Sequence, residues 1–120
     1  MRKILKLAAL VVLVCGTIFA YACGGEGKQA RIKGNSSYEA SLFRQNCVIC
    51  HGPEGEGRMM NGQQVPSLRK GEPATRAEEE IYKQIAFGKL PMPPFRDQLT
   101  ESEMRRLATF IKEELQGRTD

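Results

Sequence analysis

Residues 47–51 read Cys-Val-Ile-Cys-His. The two thiols lie three positions apart, so one helical turn sets Cys47 and Cys50 side by side, with His51 next in line. His51 is the only histidine among the 120 residues. Two thiols and an imidazole suit zinc, a redox dithiol or haem. Zinc asks for four ligands, and no second Cys-x-x-Cys or His-x-x-His completes the set. A thioredoxin-like dithiol belongs to a strand–helix–strand setting that this sequence lacks, and a plain disulfide leaves His51 without a role. Covalent haem attachment uses all three residues. Cys-x-x-Cys-His is its signature: each thiol adds to a vinyl group, and the imidazole reaches the iron from beneath the ring.

With His51 on one face of the iron, the other face takes methionine, water or nothing. Met92 lies in Leu-Pro-Met-Pro-Pro-Phe. Proline on either side fixes an extended backbone and removes N–H donors, which holds a thioether in place. Met59 and Met60 are alternatives, because even eight residues reach over roughly 25 Å. Met104 falls on a helical apolar stripe and reads as core.

Three helices must position these groups. Each opens on a capping box, a hydroxyl residue followed three places later by glutamate: Ser36–Glu39, Thr75–Glu78 and Thr100–Glu103. The first carries Tyr38, Leu42 and Phe43 toward Cys47. The second pairs Ile81 with Ile85 and stops at Gly88. The third has a stripe of Met104, Leu107, Ala108, Ile111 and Leu115 and stops at Gly117. The connections, residues 51–73 and 88–95, are rich in Gly and Pro and read as neither helix nor strand. Long loops around few helices imply that something besides side chains fills the middle. The fold class expected is all-α.

The chain starts with Arg2, Lys3 and Lys6, followed by the apolar run Leu7–Ala22. That run is shorter than the roughly 20 residues of a spanning helix. It ends in Ala-Tyr-Ala before Cys23, so residues 1–22 read as an export signal. The lone cysteine at the cut favours a lipobox, with Cys23 lipidated, although Ala20 stands where leucine is usual. An ordinary signal peptidase accepts the same sequence, and an uncleaved anchor is the third reading. Cys15 is a small apolar residue of the run. All three readings put the domain outside the cytoplasm. Residues 23–35, glycine-rich and polar, read as a flexible tether with a span on the order of 20 Å. The folded domain is expected over residues 36–117.

Without Arg2, Lys3 and Lys6 the 18 basic residues fall to 15, against 14 acidic ones. They are scattered among the acids, so nothing marks a nucleic-acid partner. Glu54 and Glu56, in the glycine-rich loop, read as solvated.

Residues 36–117 resemble a small bacterial class I cytochrome c with a single haem. Leu-Phe-Arg-Gln-Asn-Cys-Val-Ile-Cys-His-Gly resembles that family's first helix and haem motif. Val-Pro-Ser-Leu resembles the loop in which a proline, here Pro66, accepts the proximal imidazole N–H on its carbonyl. Leu-Pro-Met-Pro-Pro-Phe resembles the axial methionine loop. Leu-Ala-Thr-Phe-Ile-Lys-Glu-Glu-Leu resembles the last helix, with Phe110 packing on the first. Where the family has glycine at that crossing this chain has Glu39, so either Ala40 or Ser41 supplies the close contact or the crossing is wider. The resemblance implies one covalent haem c, held by Cys47, Cys50, His51, Pro66 and Met92, with iron ligands His51 and Met92. The expected role is one-electron transfer between donor and acceptor proteins, not an enzyme activity. The site is periplasmic or on the outer side of the cytoplasmic membrane, lipid-anchored through Cys23. A fixed subunit of a larger oxidoreductase, or a haem enzyme or sensor with an open sixth position, is the alternative.

Overall fold

The computed structural model describes residues 29–119. The signal, Cys15 and Cys23 lie outside the described residues. Helix α1 spans Tyr38–Asn46. Its cap is Ser37, one place after the expected Ser36: the Ser37 hydroxyl accepts the Ala40 N–H at 3.1 Å. The cap bonds the N–H three residues on, and of two adjacent hydroxyls only one can meet that geometry. Ala40, Leu42 and Phe43 are buried, whereas Tyr38 is half-exposed and donates its hydroxyl to Glu103. A further turn, α2, covers Val48–His51 with Cys47 as its cap, and the His51 N–H bonds the Cys47 carbonyl at 2.9 Å.

The loop that follows holds a hairpin that the sequence reading did not expect. Strands β1 (Arg58–Met60) and β2 (Gln63–Val65) pair antiparallel, with Met59 opposite Gln64. The connecting residues are Asn61 (φ 49°) and Gly62 (φ 77°). Asn-Gly in this left-handed conformation is the favoured two-residue hairpin turn. The fold is therefore helical with one small sheet.

Thr75 does not cap the second long helix. It closes a 3₁₀ turn, Glu72–Thr75, and its hydroxyl donates to the Glu72 carbonyl at 2.8 Å. Helix α3 spans Glu78–Phe87 with Ala77 as cap, and Glu80 supplies the carboxylate that accepts the Ala77 N–H at 2.9 Å. Ile81 and Ile85 are buried as expected, and Gly88 (φ 67°) ends the helix. Helix α4 spans Glu101–Phe110 and does open on the Thr100–Glu103 box. It continues into a wider π turn, Ile111–Leu115.

Helices α1 and α4 pack together, with Phe43 and Phe110 ring centres 6.4 Å apart and Ala40 fully buried. Glu39 sits beside the crossing, and Arg106 on α4 donates to it at 2.7 Å.

The expected tether needs correction at its C-terminal end, and with it the domain start at residue 36. Ile32 is 0% exposed and belongs to the core. The Ala30 N–H bonds the Glu114 carbonyl at 2.7 Å. One apolar side chain that fills a core gap outweighs the flexibility of its polar neighbours. Residues 23–28 lie outside the described residues.

Candidate haem site

Cys47 and Cys50 are half-buried and unpaired. Burial first, and then the neighbouring Cys50, push the Cys47 thiol up to about 12. Among the described residues no three His, Cys, Asp or Glu side chains gather around a common point for a metal ion, and the zinc reading loses support.

His51 Nδ1 lies 3.4 Å from the carbonyl oxygen of Pro66. Burial lowers the imidazole pKa and the carbonyl contact raises it, with a net lowering. The ring is thus neutral at pH 7, and donation from Nδ1 leaves the Nε2 lone pair free. Arg58 Nη1 reaches back from β1 to the Ile49 carbonyl at 3.1 Å and ties the hairpin to the attachment turn.

Two glycines seat the loops on either side. Gly57 has φ 79°, and a Cβ there would meet the Val65 oxygen at 2.6 Å and the Pro66 carbonyl carbon at 2.8 Å. Gly88 has φ 67°, and a Cβ there would meet the Met92 oxygen at 2.6 Å and the Pro93 carbonyl carbon at 2.7 Å. Only glycine lets the backbone come this close.

Met92 closes a tight turn rather than lying in an extended stretch. Lys89 and Met92 exchange backbone hydrogen bonds of 2.9 and 3.1 Å around a cis Leu90–Pro91 bond. The turn is pinned to α3 by the Phe95 N–H on the Ile85 carbonyl, 3.0 Å. Met92 is half-buried against the core, and Gln84 Nε2 lies 3.6 Å from its sulfur. Met59 is 61% exposed on the hairpin, Met60 is half-buried there, and Met104 is core. Sequence alone marks Gly88 as a helix stop but not as the seat of the methionine loop, and it gives no role to Gly57 or Gln84. Gly57 stands in a glycine-rich loop with no mark of its own, and Gln84 is an ordinary polar helix residue.

Glu54 is not merely solvated: it is partly buried and paired. It accepts the Ile32 and Lys33 N–H groups at 2.8 and 2.9 Å and pairs with Arg69 at 3.2 Å. Glu56 accepts the Glu54 N–H at 2.9 Å.

The residues fit a covalent haem. The thiols are unpaired, one imidazole is neutral with a free nitrogen, and a thioether is fixed on a separate loop. Ile49 on the attachment turn, and Phe87 and Leu90 beside the methionine turn, are all largely exposed apolar side chains. Large exposed apolar side chains suit contact with an apolar group.

Comparison with known proteins agrees. The family described as cytochrome C oxidase, cbb3-type, subunit III matches residues 39–111. The chain is 40% identical over 73 residues to a cytochrome bc1 complex cytochrome c subunit of Corynebacterium efficiens. It is 34% identical over 88 residues to a cbb3-type cytochrome c oxidase subunit FixP of Sinorhizobium medicae. These alignments take in 59% and 60% of this chain, but only 23% and 27% of the relatives. A cytochrome c-553-like protein of Synechocystis sp. is 30% identical over 68% of this chain and 70% of its own length. Among solved structures, the KustC0563 c-type cytochrome superposes with a TM-score of 0.51 at 27% identity, over 60% of this chain and 90% of that one. The chain belongs to this family of c-type cytochrome domains, with the class I cytochrome c fold and one covalently bound haem c.

Proposed function

We propose that the protein is a one-electron carrier whose haem is bound through Cys47 and Cys50 and ligated by His51 Nε2 and Met92 Sδ. When bound, the haem supplies the one-electron couple. In attachment, each thiol S–H adds across a vinyl double bond; sulfur bonds one carbon and the hydrogen goes to the other. The Pro66 carbonyl holds the His51 Nδ1 proton and so fixes the ring orientation. Gly88 and the Lys89–Met92 turn hold the thioether. Held by His51 and Met92, the haem iron would be closed to small ligands and would rearrange little on electron transfer. The observation that carries this reading is the contact of His51 Nδ1 with the Pro66 carbonyl, next to two unpaired thiols on the same turn.

The reading extends to export by residues 1–22, lipidation at Cys23 and action outside the cytoplasm. Donor and acceptor are redox proteins of a respiratory chain, the setting named for the bc1 and cbb3 relatives. Protein matured with haem-attachment machinery should keep haem-linked peroxidase staining on denaturing gels. Cys47→Ser with Cys50→Ser should abolish it, and staining that persists overturns the attachment site. Wild type should fractionate with membranes and lose its lipid on Cys23→Ala; a soluble protein with unmodified Cys23 points to an ordinary signal cut. The names of the longer relatives favour a second reading, a fixed subunit of such a complex. Mild-detergent purification separates the two by whether other redox subunits travel with it in fixed ratio.

A further inference from the structure

Gln84 sits on α3 between two partners. Its Oε1 accepts from Arg76 Nη1 at 3.1 Å, and its Nε2 lies 3.6 Å from Met92 Sδ. Arg76 is itself clamped: Nε and Nη2 each donate to the Glu72 carboxylate at 3.0 Å. Its carbonyl also accepts Arg118 Nη1 at 2.7 Å, which ties the residue to the C-terminal segment. The guanidinium has donors only, so the amide must turn its oxygen toward Arg76. The nitrogen then faces the thioether, which can only accept. A thioether sulfur has two lone pairs, enough for one metal and one weak hydrogen bond.

We infer that Glu72, Arg76 and Gln84 form a relay that directs an N–H donor at the sulfur of Met92 and thereby raises the reduction potential. The inference rests on Met92 as ligand. A hydrogen bond to the sulfur draws electron density from it and weakens its donation to iron. The ferric state, which needs that donation more, loses more stability than the ferrous state. Gln84 acts on the ligand directly. Arg76 and Glu72 are positioning residues that act by fixing the amide's orientation. The bidentate Arg76–Glu72 fork makes that orientation firm, since both planar groups are locked at once. The Arg76 contact also lowers the Glu72 carboxyl below its usual value, so the pair stays charged at neutral pH.

The test is redox titration of the holoprotein, with the ferric sulfur-to-iron charge-transfer band recorded for each variant. Gln84→Leu, and Gln84→Ala as a variant adding no bulk, should keep the band and lower the potential. Arg76→Met should lower it less, because a freed amide still visits the donating rotamer. In the Gln84→Leu background, Arg76→Met should add almost nothing, since the relay's end is gone. An Arg76→Met shift of equal size in both backgrounds overturns the relay and leaves only the loss of a nearby positive charge. A potential unmoved by both Gln84 variants, with the band intact, overturns the relay alone. A wild-type ferric protein without the band overturns the ligand reading and the relay together.

Discussion

Among the described methionines, Met104 is closed into the core, so Met59, Met60 and Met92 are left to compete for the iron. Met92 has the held backbone: its turn is closed by two hydrogen bonds, and Gly88 lets that turn lie against the end of α3. Met92→Ala should remove the long-wavelength band of the ferric protein, lower the potential and open the iron to carbon monoxide. Met60→Ala and Met59→Ala should leave all three unchanged; a band lost with either of those variants refutes the assignment. At this scale most of the site is legible in the sequence, because Cys47, Cys50 and His51 are rare residue types in tight spacing. Gln84 and Gly57 are not legible, and Gly88 is legible only as a helix stop. What they do depends on which backbone lies beside them, and chain order does not state that.

At the scale of elements, the same limit explains the misplaced helix starts. The Thr100–Glu103 box is readable because both partners and their spacing are unique there. Ser36 and Ser37 are neighbours, and Thr75 has a rival use in the 3₁₀ turn over Glu72–Thr75. The hairpin has no alternating apolar residues to announce it; only Asn61-Gly62 does. Gly57 and Gly88 then do for the two loops what spacing does for the thiols. Gly88, with φ 67° and ψ 177°, lies where residues with a side chain are strained by about 1–3 kcal/mol. Gly88→Ala should therefore loosen the methionine loop before it unfolds the domain. On heating, the charge-transfer band should vanish at a lower temperature than the helical circular dichroism, by a wider gap than in wild type. Coincident losses would show that the loop is not held separately.

For the whole molecule, the segment from residue 29 to 35 closes the domain. Ile32→Ala removes a fully buried side chain and should cost about 2–5 kcal/mol in denaturant unfolding. A chain begun at residue 36 should be weakened at least as much, whereas an unchanged midpoint would return this stretch to the status of a tether. The clamp also responds to acid. Partial burial pushes the Glu54 carboxyl up, but the Ile32 and Lys33 N–H groups and the Arg69 charge outweigh it and hold it below the usual carboxylate value. Its stabilisation is whole above the unfolded value of about 4.3 and fades as pH falls through the lower, folded value. Between about pH 5 and pH 3, wild type should lose more stability than Glu54→Gln; equal losses would remove Glu54 from the clamp. Ala30 joins Glu114, so the first and last parts of the domain meet. A chain that emerges from its N-terminus cannot make that contact until residue 114 has also arrived. The core around Ile32 then closes only once the last helix is present, and the attachment turn, with Cys47 and Cys50 half-buried in the finished fold, is more open while the chain is still incomplete. The order of synthesis thus gives the attachment turn an interval of wider access that the completed domain narrows.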